Sequence, residues 1–510
     1  NLKQSKNYVE KAIATMAENK VKDISLLTNY QLNITSILIK LQEYDKAEAI
    51  LQSIIPNKVY TDEINHALGF ICLKTGRQRE AIRYFDQVKY TGSKKIIDLY
   101  LNKSKAFEEI NEPDSSTYYL LSAKTENLKW NGRRRNISNG IIYKQEAEAM
   151  AARKLYPDAL VLFQQSLLQF SNTFTDTATS ANPEVFSGVF AYIDLFNILI
   201  AKGDLLKILY DKDRDIRHLE ASLNAYRSAF KLADYVEKTY DSDEARLFLG
   251  KIKHTVHSKP IDISLLLYDL THKVLYLEEA YLFDQRNKAS VLSFNIQAND
   301  IMNQPGASNN LLQSSALLRS AITRLSLKAA ALTDTNELKQ LYTRIRDNEI
   351  ELGKLQEQIN ADPLWQKKNA IKKIPLVAEL QKKLDPTTTL LSFHLSDNEL
   401  LTLLISANHF TYHKIQVSKS FYAYIDTLQR SLHTSATDGR YAGTGAAMHL
   451  YQLLIQPVQQ KLQQKKRLII IPDDELNYLP FEALQDENKQ YLLEKFSIQY
   501  QFSTALATPA

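Results

Sequence analysis

Arg467-Leu-Ile-Ile-Ile-Pro-Asp-Asp-Glu-Leu-Asn-Tyr-Leu-Pro-Phe-Glu-Ala-Leu484 is the stretch that decides the fold. Residues 468–471 form a short, apolar, β-branched run; Pro472 ends it, and Pro480 is placed to open a helix over 481–484. That order predicts a buried strand, a turn and a helix, an α/β pattern. Upstream of it, residues 389–395, 399–405 and 410–417 read as an antiparallel meander, broken by Ser396-Asp397-Asn398 and Ala407-Asn408-His409. Helices are expected over 419–433 and 446–464, and a last strand over 497–502. Almost everything before residue 385 reads as helix.

At 510 residues the chain is too long for one core and calls for about three domains, or a repeat array plus a domain. Lys+Arg 63 against Asp+Glu 58 leaves a net charge of only +5, so no nucleic-acid partner is expected. The Arg133-Arg134-Arg135 triplet reads as a solvated loop. Cys72 is the only cysteine, which excludes an internal disulfide and a Cys-based zinc site. No apolar run approaches the roughly 20 residues of a membrane span. The first residue is Asn rather than Met, so a processed or trimmed N-terminus is expected, and any targeting signal before it is invisible. A cytoplasmic location is the expectation, with a periplasmic or cell-envelope one as the alternative.

Self-comparison of the helical part finds a period. Ile34-Thr35, Leu38, Tyr44, Ala47, Leu51 and Ile54 align with Leu68-Gly69, Cys72, Gly76, Ala81, Phe85 and Val88, the register being set by Ala47 and Ala81 at a separation of 34 residues. A small residue where two helices touch, an aromatic or aliphatic four positions on and Leu-Gly upstream resemble the tetratricopeptide (TPR) repeat. Ala allows close helix approach, and Gly69 lets a neighbouring side chain sit on the backbone. A weaker copy carries Ala106, Ser115 and Tyr119. A fourth, after an insertion near 131–140, carries Ala147, Met150, Tyr156, Ala159, Phe163 and Ser166. Cys72 occupies a core-facing position of its repeat and reads as a small buried hydrophobe rather than a nucleophile.

From 185 to 293 the helical period persists but the register of 34 is lost. Helices are expected over 186–210, 217–240, 244–257 and 263–294, the last pair broken at Lys259-Pro260, as degenerate repeats continuing a solenoid. Its concave face is expected to hold a protein or peptide partner. His254 and His257 share a helical face without a third ligand, so no metal is expected. Beyond the loop 303–310, Leu318, Ile322, Leu325, Ala329 and Leu332, then Leu338, Leu341, Ile345, Asn348, Leu352, Leu355 and Ile359, recur at 3 and 4. That seam predicts an antiparallel helical hairpin with Asn348 fixing its register, paired within the chain, with a dimer as the alternative.

In the last 125 residues the Gly-rich 438–445 loop lacks the Gly-Lys-Ser/Thr ending of a phosphate cradle, and no cofactor is expected. His409 and His413 share a strand face with no acidic partner nearby and read as solvent-facing. Asp473 and Asp474 either edge a pocket that selects basic side chains or shape the turn.

Leu450-Tyr451, Leu454-Ile455, Pro457, the run from Leu468 to Asp473, Leu476, Leu479-Pro480-Phe481-Glu482-Ala483-Leu484, Tyr491 to Glu494 and Ile498, Tyr500 and Ser503 resemble the first half of a CHAT domain. This caspase-like domain follows TPR repeats in many bacterial proteins. Phe283 to Leu292, followed by a hairpin, resembles the bridge between repeats and protease domain in that family. The resemblance implies peptide hydrolysis by a Cys nucleophile assisted by His, with Pro472, Asp473, Leu479, Pro480 and Phe481 as structural motif residues and a possible pocket edge. It also implies that the catalytic His and Cys come later than Ser503. Cys72 lies in a repeat, and His394, His409, His413, His433 and His449 all precede that region, so no catalytic residue is expected in this chain. The expectation is therefore a fragment, inactive alone, whose repeats regulate a protease; the rival is a non-catalytic scaffold with a docking domain. The expected fold is mostly α: TPR-like repeats over 1–184 packed through Gly69, Ala47, Ala81, Phe85, Ala159 and Phe163, degenerate repeats over 185–300, a hairpin or bridge over 301–384 and part of an α/β domain over 385–510.

Overall fold

The computed structural model describes residues 22–506 except 172–173, 187–188, 190, 241–244, 246, 251–255, 301–307, 333–334, 362–373, 397 and 434–442, with residues 6, 9–10, 12–13, 15–16 and 18–19. The fold is mostly α, a solenoid of helical hairpins together with a small mixed sheet and its covering helices. It divides into two compact units, residues 1–251 with 310–358, and 252–309 with 359–510.

The first unit begins with α1 (Ile24–Lys40), α2 (Tyr44–Ile54), α3 (Thr61–Lys74), α4 (Gln78–Asp86), α5 (Lys95–Glu109), α6 (Pro113–Asn131), α7 (Ile137–Ala152) and α8 (Tyr156–Phe170). Local chemistry sets the ends: the Asp23 carboxylate accepts from Leu26 N at 2.9 Å to start α1, and a proline occupies the first turn of α6 and of α8, where no N–H partner is missed. Ala47, Ala81, Ala159 and Phe85 are fully buried and Phe163 nearly so. A Cβ on Gly69 would lie 2.5 Å from the Phe85 ring. The aromatic of the second helix of the pair thus rests on bare backbone of the first. The same seat recurs between Gly140 and Phe170, and between Gly203 of α9 (Tyr192–Asp213) and Tyr226 of α10 (Ile216–Thr239). Helix pairing by glycine and aromatic therefore continues past the point where the 34-residue register fails. The helix expected from 186 starts only at Tyr192, and half of the one expected over 244–257 lies outside the described residues, with 245 and 247–250 helical.

Two further helices that fall mainly in this unit, α13 (Ser308–Ala331) and α14 (Thr335–Ala361), carry buried rows at Ser315, Ile322, Ser326 and Ala329 and at Leu341, Ile345, Leu352 and, past the unit's last residue, Ile359. Ile322, Ala329, Leu341, Ile345, Leu352 and Ile359 are positions of the expected seam, whereas Ser315 and Ser326 lie outside it and Leu318 and Leu325 are only half-buried. Helix α10 meets both: the Tyr235 hydroxyl donates to the Glu349 carboxylate, and Arg319 Nη1 donates to the Glu237 carbonyl at 3.4 Å.

The second unit holds α11 (Ser258–Thr271) and α12 (Val274–Asp300), where one helix over 263–294 is expected from the sequence. The break is at His272, whose φ of 54° is left-handed, while Pro260 sits harmlessly in the first turn of α11. After α15 (Val377–Lys383) come β1 (Thr388–Ser396), β2 (Glu399–Ser406), β3 (His409–Gln416), α16 (Lys419–His433), α17 (Thr444–Leu454), β4 (Arg467–Ile471), α18 (Leu492–Lys495) and β5 (Ser497–Tyr500). The sheet order is β3-β2-β1-β4-β5; the three meander strands are antiparallel, and β1, β4 and β5 run parallel, with Leu390 opposite Ile469 and Leu468 opposite Ile498. The helix expected over 446–464 stops at Leu454, because Pro457 cannot continue it, and a 3-10 segment takes over. The helix expected over 481–484 is a single 3-10 turn.

Both faces of this sheet are covered. Leu391, Phe393 and Leu395 point into a core with Phe421, Leu450, Leu468, Ile470 and Phe481. The alternate residues, Ser392 and His394, turn to the opposite face, against α12. Burial on two sides is why β1, β2 and β4 read as nearly unbroken apolar runs.

Candidate functional site

In an open α/β sheet the chemistry gathers outside the carboxyl ends of the parallel strands. Here those ends are Ser396, Ile471 and Tyr500, and a buried charged cluster lies beside them. It is built from α12, β1, the turn after β4 and the segment after β5.

Asp284 and Lys288 stand four residues apart on α12 and so share a helix face. Asp284 is fully buried, and Lys288 Nζ lies 2.9 Å from its Oδ1 and 3.0 Å from its Oδ2. Ser392 Oγ of β1 donates to Asp284 Oδ2 at 2.9 Å and accepts from Lys288 Nζ at 2.8 Å and from Gln285 Nε2 at 2.9 Å. Lys288 also donates to the Phe393 carbonyl at 2.5 Å. Gln285 Oε1 accepts from Thr504 N at 2.8 Å, and the hydroxyls of Tyr281 and Thr504 meet at 2.8 Å, tying the chain beyond β5 to the same helix.

His394, two residues along β1 from Ser392, has its Nδ1 3.5 Å from Asp284 Oδ1 and 3.4 Å from Asp473 Oδ2. Its Nε2 is 3.1 Å from Ser258 Oγ at the start of α11. Asp473 Oδ2 also accepts from Leu395 N at 3.0 Å. Two carboxylates and one ammonium leave the cluster neutral only when His394 is charged. Burial lowers its basicity, but the Asp284 and Asp473 carboxylates 3.5 and 3.4 Å away outweigh that and raise it to about 9. Burial works against the Asp284 carboxylate too, and Lys288 and His394 nonetheless hold it below the ordinary range. Ser258, His394 and Asp473 thus share the layout of a hydrolytic triad, yet an imidazolium donates to Ser258 and takes no proton from it near neutral pH. The cluster holds charge and position.

Asp473 faces this cluster at the tip of β4, while Asp474 is exposed in the left-handed region at φ 47°. Pro472, Leu479 and Phe481 are buried, and the Phe481 ring packs 5.3 Å from that of Phe393; Tyr500 Oη accepts from Phe481 N at 2.8 Å. Pro480, half-buried, precedes that 3-10 turn. Gly69, Ala47, Ala81, Phe85, Ala159 and Phe163 all lie in the first unit, in helix-packing positions. Cys72 is buried there too, and burial pushes its thiol up to about 11. His257 is buried, whereas His254 and most of the 438–445 loop lie outside the described residues. Among the described residues no group of three His, Cys, Asp or Glu is placed to hold a metal, and no helix is long and apolar enough to cross a membrane.

Sequence reasoning passed over Asp284, Lys288 and Ser392, and weighed His394 only as a catalytic residue. Their signal was present: polar residues at alternate positions of an otherwise apolar strand, and an acid and a lysine at i, i+4 in a helix.

Residues 444–509 match the CHAT domain family model, so a CHAT domain, caspase-like and protease-related, occupies the part of the second unit that contains α17, β4 and β5. No curated protein matches the chain. Among solved structures, the crystal structure of BtubC (BKLC) from P. vanneervenii is similar at 13% sequence identity, covering 48% of this chain and 94% of that one, with a TM-score of 0.35.

Proposed function

We propose that this chain is the interaction arm and structural frame of a CHAT cysteine protease. In this reading the TPR-like repeats of 1–184 and their degenerate continuation to 300 hold a protein partner, the 301–384 hairpin bridges, and 385–510 frames the protease domain. In this reading Cys72, buried in the repeats, is not the hydrolytic nucleophile. The observation that carries the reading is the CHAT match over 444–509, falling on the parallel half of a sheet covered on both faces.

One observation favours a second reading, a scaffold without catalysis: the only cysteine is buried in the repeats, with its thiol held protonated. A covalent probe separates the two. The native gene product, isolated from its source, is treated with a peptidyl acyloxymethyl ketone and its labelled peptides are mapped. Label on a cysteine outside these residues, lost on mutation of that cysteine, supports the protease. Absence of label on any cysteine of the native polypeptide supports the scaffold, and label on Cys72 overturns both.

A further inference from the structure

Resting on the reading of the repeats as an interaction arm, we infer that the α5–α6 hairpin docks an amphipathic helix of a protein partner, acidic at one end and basic at the other.

Helix α6 presents an apolar face with nothing packed on it among the described residues. Tyr118, Leu121 and Leu128 are 65%, 55% and 56% exposed, and Thr125 lies between them. Their spacing of 3, 4 and 3 puts all four in one stripe, about 15 Å long at 1.5 Å per residue. Lone exposed apolar residues are ordinary, but a stripe in seam register is not. Tyr100 of α5 forms the opposite wall of a shallow cleft with Tyr118, Leu121 and Thr125, and a second cavity lined by Tyr90 and Leu99 shares Tyr100 and Tyr118 with it. A 3–4 spacing is what a second helix reads when it packs lengthwise, so a helical occupant fits better than an extended one.

Charge fixes its direction. Only three residues join α5 to α6, and Ser104 meets Ser116 at 3.1 Å, so the hairpin is antiparallel and has a turn end and an open end. The turn end carries Glu109, Glu112 and Asp114, all exposed. The open end carries Lys89 and Lys94 before α5 and Arg133 after α6, also exposed. Two of the acids near the open end are ion-paired, Glu63 to Lys95 at 3.0 Å and Glu126 to Lys129 at 2.5 Å, and Asp62 accepts from Lys89 N at 3.1 Å, while Asp98 of α5 stays exposed one turn from Lys94. The Arg133 region, a solvated loop by sequence alone, thereby becomes the cationic rim of an apolar stripe. A complementary helix sets carboxylates against Lys94 and Arg133 and cations against Glu112 and Asp114.

The test is a selection of random 16-residue phage-displayed peptides on the immobilised full chain, followed by fluorescence anisotropy with synthetic copies of the enriched sequences. Expected are peptides with apolar residues at i, i+3 or i+4 and i+7, acids clustered at one end and Lys/Arg at the other. Their Kd weakens at least tenfold with Leu121→Asp. It weakens similarly with Lys94→Glu/Arg133→Glu, and this second loss shrinks as salt is raised. All these positions are exposed, and circular dichroism confirms that each variant keeps its helix content. Enriched peptides that bind both variants as tightly as the wild type overturn this surface and leave the interaction arm standing. A selection that enriches nothing overturns both.

Discussion

The charge state of His394 makes a quantitative claim about stability. Its folded pKa of about 9 lies above the ordinary 6.5, so the native state holds a proton that the unfolded state releases. The stabilisation is fully present below pH 6.5 and is lost as pH rises through 9. The displacement is worth roughly 3 kcal/mol in all, at about 1.4 kcal/mol per pH unit. His394 is almost wholly buried, so solvent does not screen the effect away. With two units in the chain, a global melting curve would mix their responses, and a local probe is needed. Amide exchange of the β1 and α12 peptides, corrected for intrinsic exchange rates, supplies it. Protection in the wild type should fall steadily between pH 6.5 and 9, whereas His394→Phe should start lower at pH 6 and show no such slope. A flat wild-type profile, or an equal slope in the variant, would refute the charge assignment and with it the neutral-cluster argument.

Three other outcomes are expected. Gly69→Ala forces a Cβ into the Phe85 ring and should cost about 1–3 kcal/mol in urea unfolding read from first-unit amides, with Phe85→Leu in the same chain recovering part of the loss. Phe481→Ala empties a fully buried site against Phe393 and should cost about 3–5 kcal/mol in the second unit, leaving first-unit exchange unchanged. Lys202 should titrate with the opposite sign to His394. Its Nζ donates to Gln164 Oε1 at 2.7 Å, to the Ala181 carbonyl at 2.7 Å and to Asn182 Oδ1 at 2.9 Å, and burial pulls its pKa to about 7. The unfolded chain then binds more protons between pH 7 and 10.5, so exchange protection of the 176–183 peptides should rise with pH there; a fall would contradict it.

What the sequence revealed follows the reach of the interactions. Strand β4 was legible because a strand buried on both faces needs every side chain apolar, and Leu468 to Ile471 satisfy that without knowledge of their neighbours. Ala47 and Ala81 were legible because a repeat compares itself with itself. The seat of Tyr226 on Gly203 was not, although it is the same contact as Phe85 on Gly69, because the number of residues between glycine and ring differs from pair to pair. The break at His272 was missed for a related reason. A single left-handed residue ends α11 within the polar, largely exposed Asp269–Lys273 stretch, which holds neither Gly nor Pro to announce a break. For Ser392 and His394 the obstacle was larger: their partners Asp284 and Lys288 lie more than 100 residues away, and only the fold decides which polar pair on a helix meets which polar pair on a strand.

That meeting has a consequence for geometry. An apolar contact between α12 and β1 would tolerate sliding, since burial is non-directional. The ionic contact does not tolerate it. Moving α12 by one turn would strip Lys288 and Ser392 from Asp284 and leave buried charge unpaired, at a cost of about 3–5 kcal/mol. His394 extends the constraint to Asp473, and Asp473 in turn holds Leu395 N, so the tips of β1 and β4 are set by the same helix. Thr504, bonded to Gln285, adds the segment after β5. All three parallel strand ends are therefore registered against one face of α12 through groups that accept only one arrangement, at the end of the sheet where an α/β fold places its chemistry.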